Sequence, residues 1–184
     1  IGVEKLVGCL AKELSARGQE TAPVHVVLPL SPNHGQMGRD GLYAEAKSGL
    51  EALMVRWQAE YERWGRAASL CGARIGWVRG TGLMAGLDRV YKKVEAELGI
   101  QTFSPLEMAD AILEHCTEEK RTLAQSEPQE ADITGGFAEV EGLRDVITRA
   151  LNEAKNQARD DSEESADLLP RLLYEFPELP EGGA

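Results

Sequence analysis

The chain has 184 residues, 42% of them hydrophobic, which is enough apolar material for the core of one domain or one and a half. Its formal net charge is -11, from 31 acidic against 20 basic side chains, and this excludes a surface built on clustered Lys and Arg for nucleic-acid phosphates. No apolar run approaches the roughly 20 residues of a membrane-spanning helix, and we expect no signal peptide. Cys9, Cys71 and Cys116 are odd in number and far apart, with no C-x-x-C spacing. They read as reduced, mostly buried thiols of a cytoplasmic protein. His25, His34 and His115 do not complete a metal-ligand set with them, and no metal is expected. The first residue is Ile, so the chain reads as an excerpt of something longer.

In chain order, Val3, Leu6, Val7, Leu10 and Leu14 recur at three and four residues, which predicts an amphipathic helix over 1–17, with Gly18 at its end. VHVVLPL (24–30) is a short, continuously apolar strand of the kind buried on both faces of a parallel sheet. It delivers Ser31 at its carboxyl end, where open α/β sheets bind ligands. The loop SPNHGQMGRDG, with Pro32, Gly35, Gly38 and Gly41, leads into a helix from about Leu42 to Arg66. Leu50, Leu53, Met54, Trp57 and Tyr61 form its apolar stripe, as core or subunit contact rather than a binding box.

SLCGARIGWV (69–78) is the next strand, and it runs into RGTGLMAG. Gly80, Gly82 and Gly86 imitate a dinucleotide fingerprint, but that reading wants a helix opening within the glycines and an acidic residue ending a following strand. LDRVYKKVEAELGI is helical, with no clear strand after it. Ser104, Pro105 and Glu107 then form an N-cap, a first-turn proline and a reciprocal capping partner. A last short strand precedes Gly135 and Gly136, and a charged helix follows, fading into DDSEES and a Pro-rich end with Pro170, Pro177 and Pro180. That end reads as a linker.

The chemistry sits around Ser31, Tyr43 and Lys47. Residues four apart on a helix share a face, so Lys47 can hold its ammonium beside the Tyr43 hydroxyl. A phenol is a poor acid or base at neutral pH, but an adjacent cation favours the phenolate. Ser31 could hydrogen-bond the same substrate oxygen. The alternative is a solvated Lys beside a half-buried Tyr.

Strand, serine, Gly-rich loop and Tyr-x-x-x-Lys helix, in that order, resemble the short-chain dehydrogenase/reductase family. LPLSPNHG, GRDGLYAEAKSGLE, LCGARIGWVRGTGLM and FSPLEMADAIL look like one branch of it, the ketoreductase domain of the type I fatty acid synthases of fungi and actinobacteria, over roughly Val24 to Ala150. The resemblance implies an α/β fold: the C-terminal half of a doubly wound, Rossmann-like parallel sheet, with a helical, acidic C-terminal extension. Residues 1–150 would be the C-terminal part of the ketoreductase domain and 151–184 a linker toward a neighbouring domain.

It also implies NADPH-dependent reduction of a 3-oxoacyl group on acyl carrier protein to the 3-hydroxyacyl product. Tyr43 would donate the proton, Lys47 would assist it and bind the nicotinamide ribose, and Ser31 would position the carbonyl. Thr81 would stand near the carboxamide, with Gly80 and Gly82 allowing close approach, and the acyl chain would lie over the loop from Thr81 to Gly86. The sequence departs from the family in two places. Arg79 stands where many relatives carry proline, and the first helix holds no Asn for the family's proton relay. The glycine-rich phosphate loop is absent, so the missing half, other synthase domains and a large homo-oligomer are the expected partners. Two other readings are a non-catalytic segment of a megasynthase and a stand-alone reductase of another carbonyl, such as a polyol or steroid.

Overall fold

A computed structural model of the chain describes residues 2–19, 23–34, 41–62, 67–82 and 84–161, without the side chains of 85 and 157–161. Gly35 and Gly38 of the expected loop, the end of the long helix at 63–66 and the expected linker from 162 onward lie outside the described residues.

Three parallel strands form one sheet in the order β1-β2-β3, with β1 at Val24–Leu30, β2 at Ala68–Ile75 and β3 at Gln129–Ile133. Val24 to Leu30 stand opposite Ala68 to Arg74, and Cys71 to Ile75 opposite Gln129 to Ile133. Parallel neighbours need long crossovers, and helices supply them. The helices are α1 (Gly2–Ala16), α2 (Tyr43–Ala59), α3 (Tyr91–Leu98), α4 (Pro105–Leu113), α5 (Glu118–Leu123) and α6 (Leu143–Asp161).

Alternate strand residues feed opposite faces of the sheet. On one face Leu28, Leu30 and Leu70 pack with Met54 and Trp57 of α2, and Val3, Leu50, Leu53 and Tyr61 close the edges. The Trp57 indole N–H donates to Ala68 O at 2.9 Å, so the buried ring is satisfied. The aromatic stripe of α2 is therefore core. On the other face lie Cys71, Ala73 and Ala131 with Val27 and Ile133. A third cluster joins Trp77 to Val90 and Val94 at α3, and to Leu143, Val146, Ile147 and Ala150 of α6. The α4 start is capped as the sequence predicts: Glu107 N–H donates to Ser104 Oγ at 3.2 Å and Ser104 N–H to Glu107 Oε2 at 2.6 Å.

Several expectations need correction. The more deeply buried strand is β2, whose first six residues are all buried, whereas β1 is fully buried only at Leu28 and Leu30. The reason is lateral position: β2 has a neighbour on each side, and β1 pairs with β2 alone among the described residues. An edge also tolerates Pro29, which has no N–H for a ladder. The strand expected over 69–78 ends at Ile75, and Val78 instead makes an isolated parallel bridge to Phe103. The expected helix from Leu42 starts at Tyr43 and is regular to Ala59. Of the three cysteines only Cys71, in the central strand, is buried; Cys9 and Cys116 are exposed.

Glycine is required where β2 meets β3. A Cβ on Gly76 would lie 2.2 Å from the carbonyl oxygen of Thr134, and backbone cannot yield as a side-chain tip can. Gly76→Ala should destabilise this edge by about 1–3 kcal/mol, as overpacking does. Hydrogen exchange of the β3 amides should speed up, while the amides of α2 stay near wild type.

Candidate functional site

The parallel arrangement gathers the carboxyl ends of the strands on one edge, and the residues singled out from the sequence lie at two of these ends. Ser31 directly follows β1 and is 4% exposed. Its Oγ accepts the Asn33 N–H at 3.1 Å, a local turn that fixes the hydroxyl. Because the oxygen accepts, the hydroxyl hydrogen remains for another acceptor.

Tyr43 is the first residue of α2 and Lys47 lies one turn on. The Lys47 ammonium sits over the Tyr43 ring, 5.3 Å from its centroid, and donates to Pro29 O at 2.6 Å. The pair expected from the spacing is thus formed, with the cation over the ring face rather than beside the hydroxyl. The carbonyl of the edge strand draws it there. Burial lowers the Lys47 pKa from its ordinary value. An ammonium has three donors, so this contact leaves further hydrogens for a ligand. Nearby, His34 Nε2 and Glu51 Oε1 are 3.1 Å apart, which gives that loop histidine a surface pairing.

Gly80, Thr81 and Gly82 lie beyond the end of β2. Gly80 adopts φ +71, a left-handed conformation that side chains resist, and its N–H donates to Asp88 Oδ2 at 2.9 Å. The Thr81 hydroxyl donates to Val78 O at 2.8 Å, leaving its oxygen as an acceptor. A Cβ at Gly80 or Gly82 would meet nothing within 4 Å, so the backbone of this turn is open to a flat group. Among the described residues no α-helix opens within the glycines: a short 3-10 turn covers Ala85–Leu87 and α3 begins only at Tyr91. The imitation of a phosphate-binding fingerprint therefore lacks the helix N-terminus that would hold a pyrophosphate.

Arg79 explains how this turn is held without proline. Its N–H donates to Phe103 O at 2.8 Å, and Phe103 N–H donates to Trp77 O at 2.9 Å, so a proline here would delete one rung. The guanidinium donates to Thr102 O at 3.1 Å and Thr102 Oγ1 at 2.8 Å, pairs with Glu107 Oε2 at 3.3 Å, and lies 4.8 Å from the Tyr91 ring centre. Glu107 thus serves both the α4 cap and Arg79, and its pKa is held low chiefly by the Ser104 hydrogen bonds. Sequence reasoning missed Pro29, Asp88, Thr102 and Tyr91 in these supporting roles.

Among the described residues no group of His, Cys, Asp and Glu could hold a metal ion, and no helix is long and apolar enough to cross a membrane. Fold and site together define a mixed α/β segment with a parallel sheet and polar side chains converging at its carboxyl edge. The chain is similar to fatty acid synthase subunit alpha of several fungi. It is 42% identical over 156 residues to that of Gibberella zeae and 45% over 149 residues to that of Schizosaccharomyces pombe, covering 85% and 81% of this chain. The Saccharomyces cerevisiae subunit is 43% identical over 149 residues. The chain spans only about a tenth of the length of the curated relatives it matches, 10% and 8% for the first two. No protein-family model matches it.

Arg79→Ala should remove two neutral acceptor contacts and two carboxylate partners, Glu107 at 3.3 Å and Glu95 at 3.7 Å, and cost about 1.5–3 kcal/mol. Urea unfolding should show the loss, and exchange of the Arg79 and Phe103 amides should accelerate ahead of the sheet.

Proposed function

We propose that the chain carries the reacting half of a 3-oxoacyl reductase. In this reading it serves fatty acid biosynthesis within a multifunctional cytoplasmic synthase, reducing a 3-oxoacyl thioester on acyl carrier protein to the 3-hydroxyacyl product with NADPH. The observation that supports this reading is the contact of Lys47 with Pro29 O near the carboxyl end of β1, with the Tyr43 ring against the same ammonium and Ser31 directly after the strand. Similarity to fungal fatty acid synthase alpha subunits supports the biosynthetic setting.

The residues fit a nicotinamide cofactor. Lys47 offers spare donors for ribose hydroxyls, Gly80 and Gly82 leave the backbone open, and the Thr81 oxygen accepts from a carboxamide. When bound, NADPH supplies the hydride to the carbonyl carbon. Ser31 donates its free hydroxyl hydrogen to the carbonyl oxygen and orients it. Tyr43 gives its phenolic proton to that oxygen, completing the alcohol. Lys47 stabilises the phenolate left behind by placing a positive charge against the ring. The adenosine and phosphate end falls to a preceding half that adds to the open edge of β1. Two features support such an addition: β1 pairs on one side only among the described residues, and Leu6 and Leu10 of α1 are 60% and 42% exposed.

In the full-length polypeptide that carries this chain, NADPH should be oxidised by a 3-oxoacyl thioester, and Lys47→Met should lower kcat by ~10²–10⁴-fold. Equal rates for wild type and Lys47→Met would sink the reading.

A further inference from the structure

The turn after β2 is held from within by one carboxylate. Gly80 N–H donates to Asp88 Oδ2 at 2.9 Å, and this contact closes the loop between them on itself. The chain from Thr81 onward advances in successive tight turns: Met84 N–H donates to Thr81 O at 3.1 Å, Leu87 N–H to Met84 O at 2.9 Å and Val90 N–H to Leu87 O at 2.9 Å. Those turns end on Val90, which is buried in the cluster around Trp77. Asp88 therefore stands two residues from a core anchor, and its contact passes that fixed position back to Gly80.

The contact does not serve stability alone. Asp88 Oδ1 is buried and takes no hydrogen bond from the described residues. A carboxylate oxygen shut away from water without a donor is costly. A local cost of this kind is found where a fold positions a ligand.

What the contact decides is which polar groups of the turn are spent inside the fold. Gly80 N–H is taken by Asp88, and the Thr81 hydroxyl hydrogen by Val78 O. The Thr81 and Gly82 N–H groups have no acceptor among the described residues, and the Thr81 hydroxyl oxygen can still accept. Donors beside an acceptor match a primary carboxamide, which brings one acceptor oxygen and an NH2 donor.

We propose that Asp88 is a positioning residue for the nicotinamide end of the cofactor: by taking the Gly80 N–H and tying it to the Val90 anchor, it holds the Thr81 and Gly82 groups in place for the carboxamide. The inference rests on the reductase reading and adds a residue that sets cofactor affinity without touching the cofactor. Asp88 lies on a different segment from Ser31, Tyr43 and Lys47, so its replacement leaves the reacting groups in place.

The test uses the full-length polypeptide that carries this chain. Calorimetric titration with NADPH should show affinity about tenfold weaker in Asp88→Ala, the size of one charge-assisted hydrogen bond. Affinity for 2′-phospho-ADP-ribose, which keeps the adenosine end and lacks the nicotinamide, should not change, whereas a general loss of structure would weaken both. Asp88→Asn keeps an acceptor for Gly80 N–H and should restore most of the affinity. Without any ligand, hydrogen exchange of the Gly80 amide should quicken in Asp88→Ala while the β2 amides stay near wild type. Equal weakening of both ligands, or Asp88→Asn as weak as Asp88→Ala, would overturn the proposal. Wild type that binds no NADPH would remove the reductase reading and the proposal with it. Wild type that binds NADPH with an affinity indifferent to Asp88→Ala would leave the reading intact and remove Asp88 from it.

Discussion

Parallel pairing of β2 with both neighbours is the constraint from which the remaining arrangement follows. It lines up the carboxyl ends of all three strands, so segments distant in sequence emerge side by side. It also dictates composition. Between two neighbours and under α2 there is no room for side chains at Gly72 or Gly76, where a Cβ would lie 2.4 Å from Met54 Sδ or 2.2 Å from Thr134 O. Beyond Ile75 the ladder ends, and the chain is handed from β3 to Phe103.

Two polar connections convert this edge into a candidate site. Lys47 joins the first turn of α2 to the Pro29 carbonyl, one residue before the end of β1, and so ties the Tyr43 end of the helix to that strand. Arg79 joins the turn after β2 to the segment at 102–107 and to Tyr91. Both are charged groups that meet backbone carbonyls at a partly buried margin, where such contacts are worth more than on an open surface. Removing either frees one of the two walls between which a substrate would lie.

Much of the fold was legible because its signals are local. The apolar run at 24–30, the Ser104, Pro105 and Glu107 cap and the stripe of α2 each declare themselves within a few residues. What the sequence hid depends on lateral position or on long-range partners. VHVVLPL reads as a fully buried strand, and nothing within it reveals that it lies at an edge. Past the end of β2 at Ile75, Val78 bridges Phe103, a partner supplied by the fold and marked by no local pattern. At the site, the Tyr43 and Lys47 spacing was plain. The role of Pro29 was invisible because it acts through a carbonyl that every residue possesses. Arg79 in place of proline looked like an anomaly, and the structure gives it both a backbone and a side-chain task.

The central claim is that the Tyr43 hydroxyl is the proton donor to a substrate carbonyl. Its most direct test compares wild type with Tyr43→Phe in the full-length polypeptide, measuring NADPH oxidation by a 3-oxoacyl thioester and NADPH binding on the same samples. The account predicts that turnover falls by orders of magnitude while the cofactor still binds, since the ring and the Lys47 contact remain and only the proton is lost. Turnover by Tyr43→Phe at the wild-type rate would contradict it.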